Sequence, residues 1–358
     1  MYFGDCLPPL MPHPITNPEN PIPEWEARKK EILDLLRKEE YGFAPPAPSC
    51  VKGEVLEQDF ECCCGHAVLE KIQITFPTPK GNFSFPLKFF VPQKEGNSPL
   101  FLLINFRPDS YDRYFPAEEI IDRGFGLAVL YYEDVSTDDG NFKNLLPGQY
   151  DLPDPQTGWG KISIWAWAAS RAIDYLITRP EVDSKNIAVI GHSRLGKTAL
   201  WCAAQDERVS FACSNEAGCA GTSLEHIKHP GAETTQDIVT RFPYWFCGNY
   251  QKYAGKPDDM PFDQHFLLAA IAPRYVAAGS ANRDLWADPY AEQLCCLAAS
   301  QAWNYYEKTG FSGTETPFQT GEFSNQGEIA YHLRDGVHFL GRADWLRYMD
   351  FIERHKNL

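Results

Sequence analysis

Two kinds of hydrophobic spacing run along this chain, one after the other. Over 23–41, Trp25, Ile32, Leu33, Leu35 and Leu36 recur at helical intervals opposite Glu26, Arg28, Lys29 and Lys30, which predicts an amphipathic helix stopped by the proline-rich run 44–48. The segments 51–56, 67–76 and 83–91 alternate apolar with polar positions, the pattern of antiparallel strands with one solvated face. Then the pattern changes. Segments 99–106 and 126–132 are continuously apolar, as strands buried on both faces are, and they flank a helix-like 116–123. Ile162, Trp165, Ala169, Ile173, Leu176 and Ile177 mark a helix over 162–177, and Pro180 ends it. Short strands at 187–190, 209–214 and 274–279 follow, separated by helical or loop material, and 345–355 closes the chain as a helix. An antiparallel opening followed by alternating strands and helices predicts an α/β fold with a doubly wound, mostly parallel sheet. Residues 1–60, whose first 23 are proline-rich and extended, are expected to form an extension with one helix packed on a main domain at 61–358.

Composition narrows the class. The chain has 358 residues, 44% hydrophobic and 14% aromatic, enough to bury a large core without covalent staples. A net charge of −15 argues against nucleic acid or an anionic membrane as partner. No apolar run approaches the roughly 18 residues that a membrane-crossing helix needs. The start of the chain lacks the basic and apolar stretches of a secretion signal, so the expectation is a cytoplasmic protein, or a secreted one whose signal has been removed. Eleven cysteines without a C-x-x-C pair fit reduced thiols, with Cys219–Cys247 as a possible bridge.

The candidate chemistry centres on 187–204. A short strand leads into Gly191-His192-Ser193-Arg194-Leu195-Gly196, and a helix is expected from Lys197. A serine on such a strand-to-helix elbow is lifted above the sheet edge, with the first free N–H groups of the helix aimed at the same point. The second glycine comes one residue late for G-x-S-x-G; the alternative is a serine that only caps the helix. Ligands of open parallel sheets collect beyond the carboxyl ends of strands, which singles out Glu216, Asp284 and His338 in three later loops. A serine needs a histidine to take its proton, and the histidine needs a carboxylate on its other nitrogen. His338 is preferred because it lies in a glycine-flanked loop before the last helix. His332, His265 and His355 fall within predicted elements, and His192, next to Ser193, is expected to point away from it. The acid is either Asp284 or Glu216.

Five motifs in one order carry a resemblance: Gly-His-Ser-Arg-Leu-Gly-Lys from Gly191, Asn-Glu-Ala-Gly-Cys-Ala-Gly from Asn215, Phe-Pro-Tyr-Trp-Phe-Cys from Phe242, Asp-Leu-Trp-Ala-Asp-Pro from Asp284, and Gly-Val-His from Gly336. Together they resemble carbohydrate esterase family 15, the glucuronoyl esterases, and most of all its bacterial branch, over about 60–355. The resemblance implies an α/β-hydrolase fold, a three-layer sandwich, that cleaves esters between glucuronic acid on xylan and lignin alcohols through an acyl-enzyme on Ser193, with no cofactor and no metal. It implies His338 as base, Glu216 as the family's acid, Asp284 as a second acidic group that some bacterial members carry, and Arg194 as the oxyanion's partner. Lys197 and Glu233 would meet sugar hydroxyls and Trp286 would pack on the ring. Arg107 stands where the family has glycines, and is expected to narrow or recharge the site. The expected substrate is a glucuronate-bearing xylo-oligosaccharide or small uronate ester. The alternatives are an acetyl xylan esterase or related deacetylase, and an inactive carbohydrate-binding homologue.

Overall fold

A computed structural model describes residues 3–151 and 154–356. Its strands are β1 (Lys52–Asp59), β2 (Ala67–Thr78), β3 (Gly81–Pro92), β4 (Ser98–Asn105), β5 (Gly126–Tyr131), β6 (Val182–His192), β7 (Phe211–Asn215), β8 (Tyr275–Ala281), β9 (Phe323–Ser324) and β10 (Ile329–Arg334). They form one sheet in the order β1-β2-β3-β5-β4-β6-β7-β8-β10-β9. Pairing is antiparallel from β1 through β3 to β5 and between β9 and β10, and parallel from β5 through β4, β6, β7 and β8 to β10. The helices are α1 (Ile22–Leu36), α2 (Ala117–Asp122), α3 (Lys161–Leu176), α4 (Arg194–Gln205), α5 (Thr235–Arg241), α6 (His265–Ala269), α7 (Pro289–Ala299), α8 (Gln301–Asn304) and α9 (Arg342–His355).

Two cores explain the continuous apolar runs. Leu100, Leu102 and Ile104 of β4 pack with residues of α1, α3, α4, α6, α7 and α8 on one face of the sheet. Phe101 and Leu103, one step out of phase, pack with residues of α2 and α9 on the other. The arrangement is the three-layer sandwich that the sequence predicts. At the antiparallel end the prediction is less accurate: β1 is solvent-exposed along nearly its whole length, with Val55 39% and Leu56 56% exposed.

The amino-terminal segment is part of what holds the elbow. Trp25, Ile32 and Leu36 of α1 are fully buried, and Tyr41, just beyond it, stacks on Trp201 of α4 with ring centroids 4.0 Å apart. That contact braces the helix that starts at Ser193. All eleven cysteines are free thiols, Cys219 and Cys247 included. Among the described residues no helix is long and apolar enough to cross a membrane.

Candidate active site

Four adjacent parallel strands deliver the four candidate groups, each just past its carboxyl end: Ser193 after β6, Glu216 after β7, Asp284 after β8 and His338 after β10. The elbow is tight. Ser193 has φ 57° and ψ −127°, a conformation that costs energy for a residue with a side chain and persists only where its surroundings enforce it. Gly191 permits it, since a Cβ there would collide with the Leu195 carbonyl. A Cβ on Gly196 would come within 2.9 Å of Ser214 Oγ on the neighbouring strand, so the late glycine serves helix-to-sheet packing. The helix begins at Arg194, three residues before the expected start, because it nucleates directly on Ser193. The Arg194 N–H therefore has no acceptor within the helix and is free for a ligand.

His338 receives two carboxylates on one nitrogen. Its Nδ1 lies 2.6 Å from Asp284 Oδ2 and 3.2 Å from Glu216 Oε2. Glu216, with φ 47° and its side chain fully buried, also accepts from Arg334 at 2.5 Å and from the Phe339 N–H at 2.9 Å. Arg334 in turn grips both oxygens of Asp344 at 2.9 and 2.7 Å. Burial pushes the Glu216 carboxyl up to about 8, against the pull of His338 and Arg334. Burial is the largest single influence on Asp284 and works to raise it, but the hydrogen bond and charge of His338, with hydrogen bonds from Glu216 and the Ala287 N–H, together leave that carboxyl below its ordinary value. For His338, burial favours the neutral ring, yet the hydrogen bonds to Asp284 and Glu216 prevail and lift it to about 9. Gly336, at φ 140°, gives the histidine loop its turn, and its N–H is held by Asn282 at 3.0 Å.

Ser193 and His338 line one pocket of about 150 Å³ together with Glu216, Arg194, Lys197, Glu233 and Trp286. Ser193 Oγ is not hydrogen-bonded to the imidazole, a looseness common in hydrolases without substrate. Lys197 is buried, with Nζ hydrogen-bonded to the Ala217 carbonyl and 3.6 Å from Glu233 Oε2. Trp286 is 40% exposed at the rim. Of the expected groups lining this pocket, Asp284 alone stands behind it, in contact with His338. Arg107 stays out of the pocket and pairs instead with Asp109 and Asp112 at 3.3 and 3.2 Å, because the loop after β4 supplies its own counter-charges.

Three residues escaped the sequence reading. His192 does not point away from the site: its ring centroid is 4.3 Å from that of His338, and its Nδ1 bonds Asn215 Oδ1 at 2.6 Å. Alternation along a strand predicts opposite faces for neighbours, but the positive φ at Ser193 breaks it. Asp138, on the loop after β5, pairs with Arg194 at 3.2 Å and accepts from Trp245 Nε1 at 2.7 Å. The guanidinium of Arg194 also lies over the Phe106 and Trp245 rings, with its buried Nε unpartnered. Arg241, at the end of α5, lines the pocket with its guanidinium 5.6 Å from the Trp286 ring centroid. The signal for Asp138 was available, since it follows a strand as the other site residues do. For metals, His192, Glu216 and His338 offer donor atoms within 4.8 Å of one another. Both Glu216 oxygens and His338 Nδ1 are already engaged by protein partners, which makes this set a poor fit for an ion.

A hydroxyl on an elbow, an imidazole held by carboxylates and a cationic neighbour suit acyl transfer. Comparison with known proteins agrees. A sequence profile described as "Glucuronyl esterase, fungi" matches residues 74–307. The carbohydrate esterase MZ0003, from an unknown prokaryotic organism, is 38% identical over 66% of this chain and 55% of its own length. A 4-O-methyl-glucuronoyl methylesterase of Hypocrea jecorina is 28% identical over 78% of this chain and 58% of its own. The chain thus spans little more than half the length of these curated relatives. A solved glucuronoyl esterase from Solibacter usitatus superposes with a TM-score of 0.86 at 32% identity, over 97% of each chain.

Proposed function

The chain belongs to the glucuronyl esterase family, carbohydrate esterase family 15, and on that footing we propose that it hydrolyses esters of glucuronic acid or 4-O-methyl-glucuronic acid by a serine mechanism. Ser193 Oγ attacks the carbonyl carbon of the uronoyl ester while His338 Nε2 takes the hydroxyl proton. The developing oxyanion meets the Arg194 N–H and the Arg194 guanidinium, which Asp138 orients. The tetrahedral intermediate collapses, the C–O bond to the alcohol breaks, and His338 returns the proton to the departing oxygen. Water, deprotonated by the same imidazole, then cleaves the acyl-enzyme to uronic acid and free Ser193. We assign Asp284 as the carboxylate that orients His338 and steadies the imidazolium, on the strength of its 2.6 Å contact and of a carboxyl held below its ordinary value. Glu216 is assigned to holding the histidine loop.

Substrate recognition follows from the lining. Lys197 and Glu233 present a donor and an acceptor to sugar hydroxyls, and Trp286 offers a flat apolar face to the ring. A small acyl group such as acetate would have no hydroxyls or ring face for these residues to meet. The substrate we propose is a glucuronate-bearing xylo-oligosaccharide ester or a smaller uronate ester.

The single observation that carries this reading is the shared pocket, in which Ser193 and His338 face the same space as the polar residues suited to a uronate. Rates on benzyl glucuronate against acetylated xylo-oligosaccharides test it, with Ser193→Ala as control. Hydrolysis of the glucuronate ester, lost in Ser193→Ala and weakened in Lys197→Ala, is the expected result. Activity on the acetylated sugars alone would replace the assignment by a deacetylase.

A further inference from the structure

A second cavity, of about 280 Å³, shares a wall with the active-site pocket. The wall is the loop that follows β8, and its residues are divided between the two sides. Trp286 and Ala287 line the active-site pocket, whereas Leu285 and Asp288 line the second cavity. A second loop is divided in the same way. His229 lines the second cavity and donates its backbone N–H to Asp288 at 2.7 Å; Glu233 lines the active-site pocket and donates its own to the Trp286 carbonyl at 2.8 Å. Anything bound in the second cavity therefore sits back to back with the groups proposed to hold the uronate.

Its chemistry differs from that of its neighbour. The active-site pocket is lined by Arg194, Lys197, Arg241, Glu216 and Glu233. The second cavity has no lysine or arginine in its lining, and its one carboxylate, Asp288, is already taken up by the His229 and Ala291 N–H groups. An anion finds no lysine or arginine to meet it there. What the cavity offers is apolar surface from Leu285, Tyr290 and Phe318, with Leu285 56% and Tyr290 40% exposed, beside the neutral polar side chains of Asn282, Gln319 and Thr320. Flat apolar faces edged by amides and a hydroxyl suit an uncharged sugar ring, whose C–H face stacks while its hydroxyls bond at the edge.

We propose that this cavity is a binding subsite for a neutral sugar of the chain that carries the esterified uronate, so that the acidic branch enters one pocket while the uncharged main chain occupies the other. The subsite rests on the esterase reading for its substrate, but its binding chemistry can be read separately. Xylotetraose, which carries no uronate, is the probe for direct binding, measured calorimetrically on Ser193→Ala protein. Binding that is weakened about tenfold by Tyr290→Ala is expected, the size of one lost stacking contact. Thr320→Trp, which fills the cavity, is the second variant should the first fold poorly, and it too is expected to remove the binding. In kinetics, the same substitutions are expected to raise KM for a glucuronoxylo-oligosaccharide ester while leaving kcat and KM for benzyl glucuronate unchanged. Xylotetraose binding that neither substitution alters, or a KM that rises equally on both esters, overturns the subsite. Loss confined to benzyl glucuronate overturns it too and assigns the cavity to the alcohol. Failure to hydrolyse any glucuronate ester would sink the esterase reading while the calorimetry still decides the subsite.

Discussion

Glu216 and Asp284 reach the same nitrogen of His338 from the ends of adjacent strands, yet they stand in different surroundings. Glu216 is fully buried and already holds Arg334 and the Phe339 N–H, so its place is fixed by partners other than the histidine. Asp284 lies closer to the imidazole and is held below its ordinary carboxyl value, whereas burial pushes Glu216 up. The contrast teaches that proximity to the histidine proposed as base does not by itself assign a role. A carboxylate whose hydrogen bonds are spent on scaffold groups holds a loop in place, and one whose main partner is the ring can follow the ring's change of charge.

The sharpest way to break this contrast is Asp284→Asn. If Asp284 fixes the tautomer of His338, the amide should lower kcat by a factor on the order of 10⁴ with little change in KM, as removal of a triad carboxylate does in other serine hydrolases. Thermal unfolding should scarcely move. A loss below tenfold, read from initial rates on benzyl glucuronate, would transfer the role to Glu216.

Glu216→Gln should give the opposite signature. It leaves Arg334 paired with Asp344 but takes a carboxylate oxygen from Arg334 or from the Phe339 N–H, and leaving a buried donor unsatisfied in this way costs roughly 1–3 kcal/mol of stability. The midpoint of denaturation should fall markedly, while kcat declines only about tenfold, equivalent to about 1.4 kcal/mol. Chemical denaturation and kcat measured on the same preparation check both halves.

The pH profile refines the comparison. In the proposed mechanism His338 must be neutral to accept the serine proton, and its value near 9 means that the neutral fraction keeps growing well above pH 7. The acid limb of kcat/KM should therefore extend into the alkaline range. The hydrogen bond to Asp284 is the largest influence holding the proton on the ring, so Asp284→Asn should shift the residual activity's limb to lower pH, and Glu216→Gln should shift it less. Equal displacement in both variants would erase the distinction between the two acids.

Much of this architecture could be read from residue spacing, and the reason is local. Strands β4 and β5 are unbroken apolar runs because helices cover both faces of the sheet, and the elbow announces itself through Gly191, Ser193 and a following helix. His338 is legible because its loop sits beside glycine and precedes the last helix. The choice of acid was not, since it depends on Arg334, more than a hundred positions from Glu216, occupying one carboxylate and leaving the other alone. His192 was misjudged because strand alternation fails where Ser193 takes a positive φ. Asp138 lies beyond the carboxyl end of β5, where the rule that singles out the other three loops applies equally.

Arg107 marks the weak end of the comparison. It carries a full charge and stands where the sequence resemblance placed a change to the site, yet it meets neither carboxylate. Its guanidinium is about half exposed and spends itself on Asp109 and Asp112, within its own loop. The pair with Asp109 is exposed on both sides and that with Asp112 keeps the guanidinium half in water, so the charge acts only weakly on groups beyond the screening length of the solvent. Arg107→Ala should accordingly change kcat/KM by less than about twofold, since no part of the proposed chemistry passes through it. The acid limb of its profile should coincide with that of the unaltered protein. A displaced limb would mean that the loop after β4 reaches His338 electrostatically, and the two carboxylates would then no longer be sufficient to account for where its proton sits.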